Sequence, residues 1–135
     1  DVYLTSLYPP ESNHLESIDA LLRPNVCFLG IEEADGLAAC GAVKLLDDGV
    51  AYGEIKRLFV APLHRGKGHA RSILLALEAE LAQRNLALVR LEVGVFQPEA
   101  LGLYRSLGYR ERGPFGSYAR DPLSVFMEKQ IEAIA

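Results

Sequence analysis

Residues 64–70 read "HRGKGHA": two glycines flank a lysine, with a histidine and an arginine before them and a histidine after. Upstream lies a run of period two, "AYGEIKRLFVAP", and downstream an apolar stripe at helical spacing. A strand, a glycine-rich turn and a helix start are the ingredients of an anion site. The first backbone N–H groups of a helix have no internal partner, and the helix dipole puts partial positive charge there. Glycine lets the backbone approach a ligand and take the positive φ values a cradle needs. Two phosphate loops are excluded by spacing. A P-loop needs Gly-Lys-Ser/Thr after a glycine and four residues, but here Gly68 follows Lys67. The dinucleotide fingerprint needs a third glycine where Arg71 stands, and its acidic residue about 20 positions on is missing. The plain alternative is a tight turn opening a helix, its basic residues solvated.

The elements that would position this turn are legible from periodicity. Leu15, Ile18, Leu21 and Leu22 have helical spacing after the turn at Pro9-Pro10, and Pro24 stops them. "NVCFLGIEE", "LAACGAVKLL" and "AYGEIKRLFVAP" read as three strands separated by the turns "ADG" and "DDG". In the third, Glu54, Lys56, Leu58 and Val60 alternate with Ile55, Arg57 and Phe59. From Gly66 the period changes. Ala70, Ile73, Leu74, Leu77 and Leu81 make one stripe, while Arg71, Glu78 and Arg84 fall elsewhere, giving an amphipathic helix that ends near Asn85. "LALVRLEVGVF" reads as a strand buried on both faces, and "PEALGLYRSL" as a short helix with proline in its first turn and Gly108 beyond its end. A weak strand "YRERG", a loop "PFGSYARDP" and a last strand "LSVFMEK" complete an α/β chain with a mixed sheet, antiparallel at first and with strand–helix–strand units later.

At "RGKGHA" the sequence resembles the GNAT superfamily of N-acetyltransferases, whose members carry Q/R-x-x-G-x-G/A between their fourth strand and the next helix. A second stretch strengthens the resemblance. "QPEALGLYRSLGY" follows the family's N-x-x-A-x-x-L-Y-x-x-x-G-F/Y, with Ala100, Leu103, Tyr104, Gly108 and Tyr109 at the expected offsets and Gln97 in place of asparagine. The resemblance covers residues 26–130 and implies the acyl-CoA N-acyltransferase fold: a largely antiparallel mixed sheet, splayed at the acetyl-CoA site and flanked by helices. The family fold begins with a short strand, so either "DVYLT" is its remnant or that strand lies upstream of residue 1. The chain is expected to be a single domain over residues 1–135.

The resemblance implies acetyl-CoA as cosubstrate, its pyrophosphate on the amides of Arg65, Gly66, Lys67, Gly68, His69 and Ala70. Arg65 and Lys67 would add long-range attraction. The pantetheine arm would run along Leu58, Phe59 and Val60, with the amide of Phe59 or Val60 facing the thioester oxygen and Gln97 reaching the arm from the other side. Acetyl transfer needs a neutral amine, a stabilised oxyanion and a protonated leaving thiolate. Tyr104 is the candidate general acid; the alternative is a core aromatic. Glu54, on a strand apolar on both faces, is the candidate base; the alternatives are an ion pair with Lys56 or Arg57 and a base-free route through water. His64 and His69 border the loop rather than the chemistry. Phe115 and Tyr118 are the candidate acceptor walls, with Asp121 as a partner for a cationic amine and "YPPESNH" as another wall. Arg57, Arg90 and Arg105 could meet an acceptor carboxylate.

The expected reaction is direct attack of a small-molecule amine or amino acid on acetyl-CoA in a ternary complex. The alternatives are a protein or peptide acceptor, a longer acyl donor, and a catalytically silent acyl-CoA sensor. The formal net charge of −4 speaks against a nucleic-acid partner. No apolar stretch approaches the roughly 18 residues of a membrane span, so no membrane partner is expected. Cys27 and Cys40 are too few for a disulfide framework and not spaced as metal ligands. That favours a cytoplasmic setting, and no metal is expected. A homodimer is an expectation by analogy alone.

Overall fold

The computed structural model describes residues 2–4 and 25–132. The helix expected over residues 15–22 and the wall "YPPESNH" lie outside the described residues. The short strand β1 (Val2–Leu4) pairs antiparallel with β2 (Val26–Glu33) at one end of the sheet. β3 (Gly36–Asp47) and β4 (Ala51–Val60) continue the antiparallel meander. Helix α1 (His69–Gln83) then crosses to β5 (Leu88–Gly94), which runs parallel to β4. Helix α2 (Pro98–Ser106), β6 (Arg110–Arg112) and β7 (Ser124–Gln130) follow. The sheet order is β1-β2-β3-β4-β5-β7-β6. β7 inserts between β5 and β6, antiparallel to both, so β4 and β5 are the one adjacent parallel pair among the described strands.

The stripe on α1 does what its spacing requires. Ile73, Leu74, Leu77 and Leu81 are fully buried against Val43, Ile55, Val89 and Leu91 of the sheet. Sheet glycines let the helix come close. A Cβ at Gly41 would lie 2.6 Å from Ile73 Cγ2, and one at Gly53 2.6 Å from Leu81 Cδ1. Glu78 departs from its expected exposed position. Its carboxylate is buried, accepts the Tyr109 hydroxyl at 2.8 Å and pairs with Lys129 at 2.8 Å. On the other face, Tyr52, Phe115 and Phe126 form an aromatic cluster with Tyr118 packed against it.

The strict alternation expected along β4 breaks at Arg57. Pairing passes from Ala42↔Lys56 to Cys40↔Phe59, so β4 carries one residue more than β3 over that span. Arg57 absorbs it at φ 60. This β-bulge turns Leu58 and Val60 toward the α1 side with Ile55, and Phe59 toward the opposite face with Phe28 and Cys40. Period two alone placed Leu58 and Val60 with Glu54. The inserted residue reverses that assignment for the end of the strand.

Candidate active site

β4 and β5 are paired only at Gly53↔Val89 and Glu54↔Arg90. Beyond those residues β5 stays with β7 up to Gly94, while β4 stays with β3. The two strands therefore part, and the edge of β4 facing β5 is left open. A cleft of about 650 Å³ occupies the gap. Leu58, Phe59 and Val60 form one wall, Gln97, Ala100 and Leu103 of α2 and its N-cap form another, and the loop and first turn of α1 close the end.

At that end, Gly66 and Gly68 have φ of +81° and +82°, values that L side chains rarely adopt. A Cβ at either would meet nothing within 4 Å, so conformation and open space, not crowding, call for glycine there. Gly68 is the N-cap of α1 and makes no side-chain cap hydrogen bond. The first amide bonded back along the helix is that of Ser72, donating to the Gly68 carbonyl at 3.1 Å. The amides of His69, Ala70 and Arg71 thus begin the helix without intrahelical acceptors. Just past β4, the extended residue Ala61 donates its amide to the Ala38 carbonyl at 2.8 Å. Alternation of a strand backbone then turns the amide of Val60 away from β3, toward the cleft, and that of Phe59 toward β3.

Of the residues singled out from the sequence, Leu58, Phe59, Val60, Arg65, Gly66, Gly68, His69, Ala70 and Gln97 line this cleft. Lys67 does not. Its ammonium lies 3.4 Å from Glu33 Oε2 and 3.0 Å from His64 Nδ1. Tyr104 lies directly after Leu103 but is 6 % exposed, its ring edge-on to Tyr109. Burial, with Glu92 adding repulsion, pushes its phenol up to about 12. Tyr104 therefore keeps its proton throughout the neutral range.

Glu54 is 4 % exposed on the face opposite α1. It accepts the Tyr118 hydroxyl at 2.5 Å, with Lys56 Nζ at 3.5 Å. Phe115 is buried behind Tyr118, ring centroids 5.2 Å apart. The candidate base and the two candidate acceptor residues are thus one cluster, joined by a hydrogen bond that sequence spacing could not reveal. Beside it, a depression of about 580 Å³ is lined by Glu92, Tyr118, Asp121 and Ser124, with Arg120 at its rim. Glu92 was not anticipated, although its place between Leu91 and Val93 on a period-two strand signals the polar face. Arg90 is engaged elsewhere, in ion pairs with Glu128 and Asp48 and 4.5 Å above the Tyr52 ring. Arg105 is exposed, 3.6 Å from Glu111. Cys27 and Cys40 are buried and not joined in a disulfide, and no described helix is long and apolar enough to cross a membrane.

The parted parallel strands and the glycine-opened helix thus frame one cleft, with an unpaired strand edge along its side and amides without intrahelical acceptors at its end. Comparison with known proteins makes the class specific. Residues 2–109 match the Acetyltransferase (GNAT) family. The IAA acetyltransferase of Azospirillum brasilense is 44 % identical over 131 residues, covering 97 % of this chain and 85 % of that protein. A Klebsiella pneumoniae structure, provisionally an acyl-CoA N-acyltransferase, superposes with a TM-score of 0.79 at 34 % identity and 97 % coverage of both chains. The fold also matches spermidine N-acetyltransferase from Vibrio cholerae, solved with CoA and spermine, with a TM-score of 0.70 at 22 % identity, covering 96 % of this chain and 95 % of that one. This chain belongs to the GNAT family of acetyltransferases. It is an N-acetyltransferase that takes acetyl-CoA as cosubstrate, with the acyl-CoA N-acyltransferase fold expected from its two signatures.

Proposed function

We propose that the cleft between β4 and β5 seats acetyl-CoA and that the acyl group passes to a primary amine of a small molecule or amino acid. The observation that carries this reading is the convergence, on one cleft, of an uncapped helix start and the unpaired edge of a strand. Amides of residues 65–70 hold the diphosphate, with Arg65 and Arg71 supplying positive charge at the cleft wall. The fit is one of shape and chemistry: anionic oxygens suit amide donors at a helix N-terminus, and no side chain at 66 or 68 obstructs them. The pantetheine arm runs along Leu58 and Val60, with Gln97 opposite, and the amide of Val60 donates to the thioester oxygen as it gains charge.

The acceptor enters from the depression lined by Glu92, Tyr118 and Asp121. Two carboxylates there suit a cationic amine. Glu54, bonded to the Tyr118 hydroxyl, takes one proton from the cationic amine; the neutral nitrogen then bonds to the acyl carbon and gives its second proton to solvent. The carbon–sulfur bond then breaks. Tyr104, at about 12, is a weaker acid than a thiol near 8.5, so it contributes a hydrogen bond to the leaving sulfur while solvent completes its protonation. Binding of spermine by the Vibrio cholerae enzyme supports the use of this fold for amine acceptors.

The test is thiol release from acetyl-CoA across a panel of diamines, polyamines, amino acids and lysine peptides. Amine-dependent release with a small acceptor is expected. Tight cofactor binding with no product from any small amine would refute the reading.

A further inference from the structure

We propose that Glu33, His64 and His69 form a site for a divalent metal ion of the zinc class, with Asp35 as its outer brace. The three side chains come from different elements: the end of β2, the 3-10 turn Pro62–His64, and the first residue of α1. Each offers one ligand atom, and the three atoms lie within 4.8 Å of one another. Glu33 Oε2 is the hub, 2.9 Å from His64 Nδ1 and 2.7 Å from His69 Nε2. A tetrahedral zinc with ligands at about 2.0–2.1 Å needs donors about 3.3 Å apart. Binding would open the two Glu33 contacts, now 2.9 and 2.7 Å, by about half an ångström.

Asp35 carries the inference beyond a chance cluster. Its two oxygens lie 2.9 and 3.0 Å from His64 Nε2. A metal-ligating histidine characteristically donates its other ring N–H to a carboxylate, which fixes the tautomer and raises the basicity of the ligating nitrogen. In the tautomer that carries its proton on Nε2 and donates it to Asp35, His64 would present the Nδ1 lone pair toward the Glu33 carboxylate. Two acceptor atoms at that separation are reconciled by a proton, an ammonium or a metal ion between or beside them. Lys67 Nζ approaches both, at 3.0 Å from Nδ1 and 3.4 Å from Glu33 Oε2. The cluster is thus already arranged around a cation, and His64 is 7 % exposed, sheltered enough to hold a fixed geometry. A bound ion would staple the β2–β3 turn to the loop bearing Gly66 and Gly68. The proposal does not depend on the acceptor or on the roles of Tyr104 and Glu54.

The experiment is a zinc titration of the full chain without coenzyme A, read by competition with a chromophoric chelator, together with the visible spectrum of the cobalt-loaded protein. A single ion per chain with micromolar or tighter affinity, and the intense absorption of tetrahedral cobalt, are expected. Glu33→Gln should weaken zinc at least about tenfold, and Asp35→Asn about 10- to 100-fold, the range for outer-shell partners. Lys67→Met, which removes the competing ammonium, should tighten it. Both carboxylate variants alter partly exposed side chains, so folding is not at stake. No uptake by the wild type at micromolar zinc, or unchanged affinity in both Glu33→Gln and Asp35→Asn, would overturn the site and leave a protonated histidine held between two carboxylates.

Discussion

Gly68→Asp separates the backbone requirement of the loop from its role toward phosphate. At φ +82° an L residue is strained by roughly 1–2 kcal/mol, and aspartate sits at the low end of that range. Nothing lies within 4 Å of the new Cβ, so no steric cost is added. The fold should therefore survive with a modest loss of stability. Binding should not. A carboxylate at the N-cap consumes amide donors and sets negative charge against the diphosphate. Each charge-assisted hydrogen bond is worth about 1.5–3 kcal/mol, so losing two costs about 3–6 kcal/mol. At about 1.4 kcal/mol per decade, that is more than a hundredfold in Kd for coenzyme A. Gly49→Asp is the matched control. Its φ is +109°, a Cβ there also meets nothing within 4 Å, and it lies in the β3–β4 turn away from the cleft. Calorimetric titration with coenzyme A, alongside urea unfolding of both variants, gives the comparison. Near-native affinity in Gly68→Asp, or an equal loss in Gly49→Asp, would refute the reasoning.

Three further outcomes follow from the same structure. Tyr104→Phe should lower kcat at least about tenfold with KM for acetyl-CoA little changed, and urea unfolding should shift little because the hydroxyl has no hydrogen-bond partner among the described residues. Glu78→Gln should destabilise by about 2–4 kcal/mol, since it removes the charge that Lys129 meets at 2.8 Å while leaving the Tyr109 hydroxyl an acceptor; equilibrium unfolding checks it. Gly53→Ala should cost about 1–3 kcal/mol, because its Cβ would lie 2.6–2.8 Å from Leu81 and Val43, both fully buried; an unchanged melting curve would contradict the packing described.

The order of strands and helices from residue 26 onward was legible because each element carries its own period and its own stop. The stripe from Ile73 to Leu81 and the proline and glycine around α2 are local signals, and tertiary structure did not override them. Loop conformation was legible for the same reason: only glycine takes φ near +80° without strain, so Gly66 and Gly68 announce a turn of positive φ. Long-range geometry was not. The bulge at Arg57 depends on how β3 and β4 register, and no residue type in "KRLF" reveals it. The Tyr118–Glu54 hydrogen bond joins positions 64 apart. Lys67, read as an attractor of phosphate, faces Glu33 across a sheet turn. Glu78 looked solvated by helical period alone, and only the placement of Tyr109 and Lys129 buries it. Periodicity finds faces; it does not say what a face meets.

The central claim is that main-chain amides at the head of α1, together with the free edge of β4, receive the cosubstrate. Amide resonances of the nitrogen-15-labelled protein, followed during titration with coenzyme A, test it most directly. Large shifts confined to residues 58–60, 65–71 and 97–103 are expected, with the hairpin at residues 47–51 unmoved. Shifts centred on another surface, with the amides of residues 65–71 unaffected at saturation, would contradict the account.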